Sequence, residues 1–336
     1  MQVASTILKA RRLPEAAFIF LTVAGCQTPG ALRSQTARSV VSGDRSVPAV
    51  DYHQHLVSPA FAPIAKLPER DGRALLAELD AAGIRKAVVL SVAYTFADER
   101  KKLNNPDSLT RAENDWTSAQ VSAAEGRLIG FCSANPLRQA ALDELQRCLR
   151  LPGMKGIKLH LGNSGISLRD SAQAASVVGV FSLAERLGVP VLVHMRARGG
   201  RNYGAEDARL FLDKVVPAAP TIEIVVAHFG GSGPGYPAQA DEVMAVFGDA
   251  AERHDPRMRN LYFDVATIVA EETTPDEAAL VAKRTRQVGP SHVLYGSDLN
   301  PPGGSIRSGW EIFRSKVPLT DAEFRTIAGN LMRFVR

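Results

Sequence analysis

This chain of 336 residues lacks the features of several protein classes. It has three cysteines, and Cys132 and Cys148 are not spaced as metal ligands, so a cysteine-ligated metal site is not indicated. It has no arginine-rich block and no basic patch with interleaved aromatic residues, so nucleic-acid binding has little support. No G-x-G-x-x-G follows the first predicted strand, which argues against a doubly wound dinucleotide-binding sheet.

The chain also lacks a large excess of basic over acidic residues. The net charge is +5, and residues 1–25 contribute three basic residues and one acidic residue to it. The remainder has 37 basic and 34 acidic residues, which is weak support for a polyanionic partner. Hydrophobic residues make up 45% and charged residues 22%, as in ordinary soluble globular proteins.

The amino terminus has the order of a bacterial export signal. Basic residues at positions 9, 11 and 12 precede an apolar run over residues 16–25, which is too short to span a bilayer. The run ends in VAGC at residues 23–26, which resembles the lipobox of bacterial lipoproteins, where the cysteine takes a lipid. The alternative is an ordinary cleaved signal with an incidental Cys26, and Glu15 just before the apolar run is atypical of a lipobox signal.

This pattern predicts the organisation of the chain. We expect a lipoprotein-type signal peptide over residues 1–25, a polar flexible tether over residues 26–48 and one folded domain over residues 49–336. The residue after the cysteine is Gln27 and not an aspartate. By resemblance to Gram-negative lipoproteins, this indicates the outer membrane. The expected protein is exported, faces the periplasm and contacts the membrane only through a lipid on Cys26.

The other two cysteines fall in a predicted strand and in the helix that follows it. Free cysteine is among the most often buried residue types. We therefore interpret Cys132 and Cys148 as two buried thiols and not as a disulfide.

From about residue 49, short β-branched apolar runs alternate with longer amphipathic stretches. We predict strands at residues 49–55, 86–93, 128–134, 154–160, 190–195, 222–228, 260–266 and 292–298. We predict helices at residues 73–82, 140–149, 172–187, 205–216, 238–252, 275–288 and 320–335. Eight alternating βα units in one α/β domain predict a (β/α)8 TIM barrel, with an open doubly wound sheet as the competitor.

Five residues of metal-ligand type lie at the carboxyl ends of predicted strands, where barrel enzymes build their active sites. They are His53, His55, His194, His228 and Asp298. His53 and His55 are two positions apart, so alternation along a strand directs both side chains into the barrel mouth. By the same parity, Asp51 is expected to point inward one layer deeper.

His194 and Asp298 could instead have purely structural roles, and local sequence supports the placement of His228 and Asp298. His194 is consistent with a satisfied core histidine, and Asp298 with the cap of a following helix. The prolines and glycines at positions 301–304 delay that helix, and an aspartate that ends an apolar strand is costly unless it is paired or metal-bound. Two glycines after His228 would let the chain leave the strand sharply and place the imidazole at the rim.

These residues lie in the segments DYHQHL, GIKLH, VLVHM, VVAHFGG and VLYGSDLN. Together the segments resemble the amidohydrolase superfamily, and more narrowly its amidohydrolase 2 group of metal-dependent hydrolases and related decarboxylases. The resemblance extends over about residues 49–336. It implies one divalent metal ion, usually zinc, held by His53, His55, His194 and Asp298, while His228 acts on the substrate or on water.

Lys158 and His160 share one face of the fourth predicted strand. In binuclear members of the superfamily a lysine on this strand is carboxylated and bridges two metal ions, which is the alternative for Lys158. GIKLH resembles the mononuclear group instead, so one ion is expected and both residues become candidates for substrate contact. Tyr94 and Arg196 follow the second and fifth strands and are further candidates, although a solvated Arg196 fits the pattern equally well.

The resemblance predicts an enzyme with a small-molecule substrate. Our first hypothesis is a metal-dependent hydrolase that activates water to cleave an ester, lactone or amide bond. The alternative is non-oxidative decarboxylation of an aromatic or unsaturated carboxylic acid with the same ligands. A third hypothesis is a non-catalytic surface lipoprotein that binds a ligand, against which the intact ligand set argues. Whether the chain forms a homo-oligomer stays open.

Overall fold

The computed structural model describes residues 47–196, 202–298 and 304–336. Residues 1–46 lie outside the described ranges, and with them the predicted signal peptide, Cys26 and most of the predicted tether. In the part of the chain that is described, no helix is both long enough and apolar enough to cross a bilayer.

Eight parallel strands form one sheet in their sequence order. Their bounds are β1 Val50–Gln54, β2 Lys86–Leu90, β3 Leu128–Ser133, β4 Met154–His160, β5 Val191–His194, β6 Ile224–Val226, β7 Leu261–Asp264 and β8 Val293–Leu294. The last strand returns to the first through two backbone hydrogen bonds, from Tyr52 to Tyr295 at 2.9 Å and from Asp298 to His53 at 2.8 Å. The predicted single-domain (β/α)8 TIM barrel is therefore confirmed.

The α-helices of the described residues surround these strands. Their bounds are α1 Ala62–Ala65, α2 Gly72–Ala82, α3 Pro106–Ser122, α4 Ala141–Cys148, α5 Leu161–Ser164, α6 Ser171–Leu187, α7 Ala205–Leu210, α8 Ala238–Glu252, α9 Pro275–Val288, α10 Ile306–Lys316 and α11 Asp321–Gly329. Local signals set several ends. The Asp71 carboxylate accepts a hydrogen bond from the Ala74 nitrogen at the start of α2, and Gly83 ends that helix in a left-handed conformation.

Helices α3 and α11 differ from what the sequence pattern predicts. The buried face of α3 is mostly polar, with Thr110, Glu113 and Asn114 among its buried residues, so it has no apolar period to detect. Helix α11 begins with the predicted Thr320–Glu323 capping box but ends at Gly329, six residues before the predicted end at 335. The Asn330 side chain then donates hydrogen bonds to two backbone carbonyls, at 2.8 and 2.7 Å, which turns the chain under the barrel.

Apolar residues form two layers. A large cluster lies between the strands and the helices. A smaller cluster fills the barrel interior, and its members include Tyr52, Leu90, Phe131, Leu192 and Leu294, together with Met332 and Val335 from the carboxyl-terminal tail. The tail therefore covers the amino-terminal end of the barrel, and a cavity lies at the carboxyl ends of the strands.

Asp51 lies on the other face of β1 from the one expected. The register between β1 and β2 shifts between Asp51 and Gln54, so strict alternation fails over these residues. Asp51 pairs with Ala87 of the outer cluster, whereas its neighbour Val50 belongs to the interior cluster. The prediction that Asp51 points into the barrel is therefore wrong.

Cys132 and Cys148 form a disulfide, so the prediction of two buried thiols is wrong. Both residues are fully buried as expected. Cys132 lies on β3 and Cys148 ends α4, and their Cα atoms are 5.9 Å apart, within the range that a disulfide spans. The pairing depends on how α4 packs over β3, and the sequence pattern contains no information on that packing.

Candidate active site

The mouth of the barrel gathers histidines around one aspartate. His53, His55 and Asp298 each place a ligand atom within 4.8 Å of the other two. Asp298 Oδ1 is 3.8 Å from His53 Nε2 and 3.5 Å from His55 Nε2. His228 lies equally near, with its Nε2 atom 3.7 Å from Asp298 Oδ2. Three of the four predicted ligands therefore converge, and so does the histidine predicted to act on the substrate.

Hydrogen bonds fix which nitrogen of each histidine faces the mouth. The Nδ1 atoms of His55 and His228 bond the backbone carbonyls of Leu90 and Ala266, both at 2.8 Å. A carbonyl can only accept, so Nδ1 carries the proton and Nε2 presents its lone pair. Burial lowers the pKa of His55 to about 4, which keeps that ring neutral at physiological pH.

Asp264, at the end of β7, orients the third ring and was not predicted. Its Oδ2 accepts from His53 Nδ1 at 2.9 Å, and its Oδ1 accepts from the backbone nitrogens of His228 at 2.9 Å and Ala266 at 3.1 Å. The fully buried carboxylate thus ties β1, β6 and β7 together at the mouth. The argument applied to Asp298, an acidic residue at the end of an apolar strand, would have found it.

These donors fit a divalent metal ion. Four ligand atoms at about 2.0–2.1 Å from a tetrahedral ion stand roughly 3.4 Å apart. The distances from Asp298 Oδ1 to His53 Nε2 and His55 Nε2, 3.8 and 3.5 Å, are close to that spacing. Neutral imidazoles with one carboxylate are a donor set that zinc and related ions prefer.

His194 stands beside this group. It is not part of either compact ligand cluster found among the described residues. Its ring stacks on His160, with centroids 3.9 Å apart and planes 15° apart, and lies 5.0 Å from the His228 ring. Its Nδ1 atom is buried and has no hydrogen-bond partner within the described part of the chain. A bound ion or substrate would satisfy that nitrogen, so the predicted ligand role of His194 stays a prediction.

His160 has the opposite hydrogen-bond arrangement from the three rings around Asp298. Its Nδ1 atom accepts from the backbone nitrogen of Asn163 at 3.1 Å. In the neutral ring the proton therefore lies on Nε2, and His160 offers a donor where the other histidines offer lone pairs. Burial and nearby Lys158 lower the pKa of His160 well below its usual value, so the neutral form prevails.

Lys158 is the buried cation of the site. Its side chain is 0% exposed, and its Nζ atom has no hydrogen-bond partner among the described residues. Burial lowers its pKa to about 8, which Asp264 and Asp298 partly oppose. The two carboxylates thus favour the cationic form of the amine, while burial disfavours it.

One cavity of about 620 Å³ collects these groups. Lys158, His160 and Tyr94 line it together with the four histidines and the aspartate described above, as the sequence predicts. Arg196 donates a hydrogen bond to Ser232, which lines the cavity, but Arg196 itself is not among the lining residues, so its predicted contact with substrate stays a prediction. The rim includes apolar side chains from α1 and the segments around it, and charged side chains from the second half of the β2–α3 connection.

The backbone at the mouth adopts costly conformations. His228 and Phe229 have φ angles of 53° and 49°, Thr267 of 53° and Asp298 of 44°. Left-handed conformations are uncommon for residues other than glycine, and they concentrate at functional sites. The sharp exit that the sequence assigned to Gly230 and Gly231 therefore begins two residues earlier, at His228 itself.

A family model described as Amidohydrolase matches residues 50–330. The chain belongs to the amidohydrolase family. The match runs from the first residue of β1 to just beyond α11, so the resemblance carried by the strand-end segments is confirmed. No curated protein matches this amidohydrolase significantly.

Solved structures share the fold of this amidohydrolase at low identity. A 2,6-dihydroxybenzoate decarboxylase from Rhizobium is 18% identical with a TM-score of 0.56, over 84% of this chain and 96% of that one. A 5-carboxyvanillate decarboxylase from Novosphingobium aromaticivorans, complexed with manganese and a nitrobenzoic acid, is 13% identical with a TM-score of 0.55, over 85% and 94%. A probable 2-pyrone-4,6-dicarboxylic acid hydrolase from Acinetobacter baumannii is 15% identical with a TM-score of 0.54, over 83% and 95%.

Proposed function

We propose that this amidohydrolase is a metal-dependent enzyme that releases carbon dioxide from a small aromatic or unsaturated carboxylic acid. One observation favours this reaction over hydrolysis. The buried ammonium group of Lys158 opens onto the histidine-lined cavity without a hydrogen-bond partner among the described residues. A buried cation is costly unless an anion accompanies it, and Asp264 and Asp298 act on Lys158 only from a distance, so a substrate anion could become its direct hydrogen-bond partner. A decarboxylase substrate always brings a carboxylate, whereas an ester, lactone or amide brings one only where it carries a separate acid group.

The proposed metal ligands are His53, His55, His194 and Asp298, and zinc is the proposed ion because nitrogen ligands dominate the set. A divalent ion held there supplies a Lewis acid that polarises a substrate oxygen. The reported complex of a structural neighbour with manganese makes manganese the second ion to test.

The chain's own residues supply binding and proton transfer. Decarboxylation places a proton on the carbon that carries the carboxylate, and the carbon–carbon bond then breaks so that carbon dioxide leaves and the electron pair stays with the substrate. Asp298, among three imidazole nitrogens at the mouth, is the group placed to relay that proton. Although burial opposes it, His53 and its neighbours hold the pKa of Asp298 below its usual value, so the carboxylate would first take a proton from water or from an acidic group of the substrate and then deliver it to the carbon. Lys158 would hold an anionic substrate oxygen, and His160 would donate its Nε2 proton to a second oxygen.

Hydrolysis of an ester, lactone or amide is the second candidate. Its support is the same Asp298, which could take a proton from water and pass it to the leaving group while His228 orients the water. The likeness in fold to a probable 2-pyrone-4,6-dicarboxylic acid hydrolase is consistent with this reaction.

A two-branched assay separates the candidates. Protein loaded with zinc or manganese is incubated with hydroxybenzoates and conjugated enoic acids, while carbon dioxide is measured, and with lactones, esters and amides, while acid release is measured. Carbon dioxide release supports the proposal. Acid release without carbon dioxide replaces it with hydrolysis, and a metal-free, inert protein that binds ligands supports the surface-binding lipoprotein.

Lys158→Met tests the observation that carries the proposal, and Lys155→Met on the exposed face of the same strand is its control. We expect the first substitution to raise KM or abolish turnover of the acid, and the second to leave kinetics unchanged. Metal analysis of the same samples counts ions per chain. Two ions in the parent protein and one in Lys158→Met would instead indicate a carboxylated, bridging Lys158.

We also propose that the protein is exported and lipid-anchored through Cys26. The Cys132–Cys148 disulfide supports export, because disulfides persist in oxidising compartments such as the periplasm. Expression of the full chain in a Gram-negative host with a labelled fatty acid tests this. We expect label in the outer-membrane fraction, and its loss with release of soluble protein in Cys26→Ser; unlabelled parent protein would overturn the anchor.

A further inference from the structure

Asp51 is a buried carboxylate that the proposed reaction does not use. It lies on the helix-facing side of β1 and is fully buried. Its Oδ1 accepts hydrogen bonds from the backbone nitrogens of His53 at 3.1 Å and Ser297 at 3.0 Å. Its Oδ2 accepts from the Ser297 hydroxyl at 2.6 Å and from the Gln54 amide at 2.7 Å. Both oxygens are therefore fully engaged with β1 and with the segment after β8.

These contacts cross the seam where the first and last strands close the barrel. The short strand β8 is paired with β7 in the sheet, and its return to β1 rests on few backbone hydrogen bonds. Asp51 bridges the seam at the level of the proposed metal ligands. It holds the nitrogen of His53 on one side and, on the other, both polar groups of Ser297, the residue directly before Asp298.

The two sides of the seam approach closely at this level. A Cβ atom at Gly296 would lie 2.6 Å from the Cβ atom of His53. Since no side chain separates the strands at that point, their lateral spacing depends on the two backbone hydrogen bonds across the seam and on the bridging carboxylate.

A second contact extends the bridge to His55. The Gln54 amide that donates to Asp51 accepts in turn from Arg70 Nη2 at 2.9 Å. Arg70 Nη1 donates to the backbone oxygen of His55 at 2.5 Å, and its guanidinium is paired with Glu78. The backbones next to His53, His55 and Asp298 thus all belong to one hydrogen-bonded network centred on Asp51.

We propose that Asp51 is a positioning residue that sets the spacing of His53 and Asp298 across the barrel seam and thereby tunes metal affinity. The inference rests on the metal-binding part of the proposed function and is independent of the reaction. Partners of this kind, which hold metal ligands without touching the metal, typically contribute 10- to 100-fold in affinity.

The test compares Asp51→Ala and Asp51→Asn with Glu223→Ala. Glu223 is also a buried carboxylate that accepts from a backbone nitrogen, that of Arg333, but it lies at the opposite end of the barrel. We expect about 10- to 100-fold weaker zinc binding in Asp51→Ala by chelator competition, and a smaller loss in Asp51→Asn, which keeps one acceptor oxygen. The visible spectrum of the cobalt-substituted protein should change in both, and in Glu223→Ala zinc affinity and cobalt spectrum should match the parent.

If Asp51→Ala does not fold, Asp51→Asn and Ser297→Ala carry the same comparison. Zinc affinity within twofold of the parent and an unchanged cobalt spectrum, together with lower thermal stability, would show that Asp51 is only structural. Failure of the parent protein to bind zinc or cobalt would instead overturn the metal site itself, and with it both proposals.

Discussion

The two ends of the barrel differ in whether their buried polar groups have hydrogen-bond partners. At the carboxyl-terminal mouth, Lys158 Nζ and His194 Nδ1 are buried without hydrogen-bond partners among the described residues. His228 and Asp298 hold left-handed backbone conformations at the same end. The unpaired nitrogens and the left-handed conformations all cost free energy of folding. A bound ligand could supply the missing hydrogen-bond or ligand partner of the two nitrogens.

At the amino-terminal base, the tail closes the barrel with paired polar groups. The Tyr52 hydroxyl accepts from the Met332 nitrogen at 2.9 Å and donates to the Asn330 oxygen at 3.2 Å. Lys86 donates to the Val335 oxygen at 2.8 Å. The comparison shows that the barrel separates chemistry from stability, so substitutions at the two ends should have separable effects.

The largest expected effect lies at the mouth. In His55→Ala we expect loss of bound metal and a fall in kcat/KM of roughly a thousandfold, because a lost ligand removes several kcal/mol of transition-state stabilisation. Metal analysis and kinetics measure this, and the thermal stability of the metal-free protein should hardly change. His292→Ala is the control, since that ring bonds the Leu261 carbonyl away from the cavity. Equal loss of metal in both variants would contradict the separation of the two ends.

The next effect lies at the base. Met332 is 1% exposed, and Met332→Ala should lower the free energy of unfolding by about 2–5 kcal/mol through a cavity that cannot close. Its neighbour Leu331 is 40% exposed, and Leu331→Ala should cost less than about 0.5 kcal/mol. Urea unfolding measures both, and zinc affinity should stay at the parent value in each. Weaker zinc binding in Met332→Ala would show that the ends are coupled.

The barrel wall supplies an intermediate case. Cys132 and Cys148 are 16 positions apart, so their disulfide closes a short loop in the unfolded chain. For a loop of about that length, its removal in the double variant Cys132→Ala/Cys148→Ala should cost roughly 3 kcal/mol. Comparison of the parent with and without reductant supplies the control, and the double variant should not respond to reductant. A parent protein whose stability ignores reductant would contradict the disulfide.

The last expected effect concerns the pH dependence of stability and a buried carboxyl group on α3. Burial raises the pKa of Glu113 on α3 to about 7, above its ordinary value of 4.5, while it accepts from the Ser58 hydroxyl at 2.6 Å. The folded state therefore favours the protonated form, and stability falls as pH rises from about 5 to 7. Glu113→Gln should match the parent at pH 5 and exceed it at pH 8 by up to about 3 kcal/mol.

Urea unfolding at the two pH values measures that difference. The exposed Glu69→Gln is the control and should leave the pH dependence unchanged. If the free energy of unfolding of Glu113→Gln depends on pH as much as that of the parent, another group is responsible for the loss of stability.

Periodicity and strand-end chemistry were sufficient to predict the barrel and the meeting of three proposed ligands at its mouth. The strand that carries His160 has the predicted bounds, and His53, His55 and Asp298 meet as expected. These predictions succeed because alternation and apolar runs are local properties of the chain, and the barrel brings every strand end to one mouth.

What the tertiary structure alone decided depends on contacts between distant residues. Asp264 bonds His53 across 211 positions, the register shift in β1 between Asp51 and Gln54 breaks the alternation that relates Asp51 to His53, and α4 lies on β3 so that Cys132 meets Cys148. The sequence by itself determined the strand order and the kind of site. Register shifts, helix packing and ring hydrogen bonds determined which atoms face the cavity, because they arise only when separate strands and helices are pressed together.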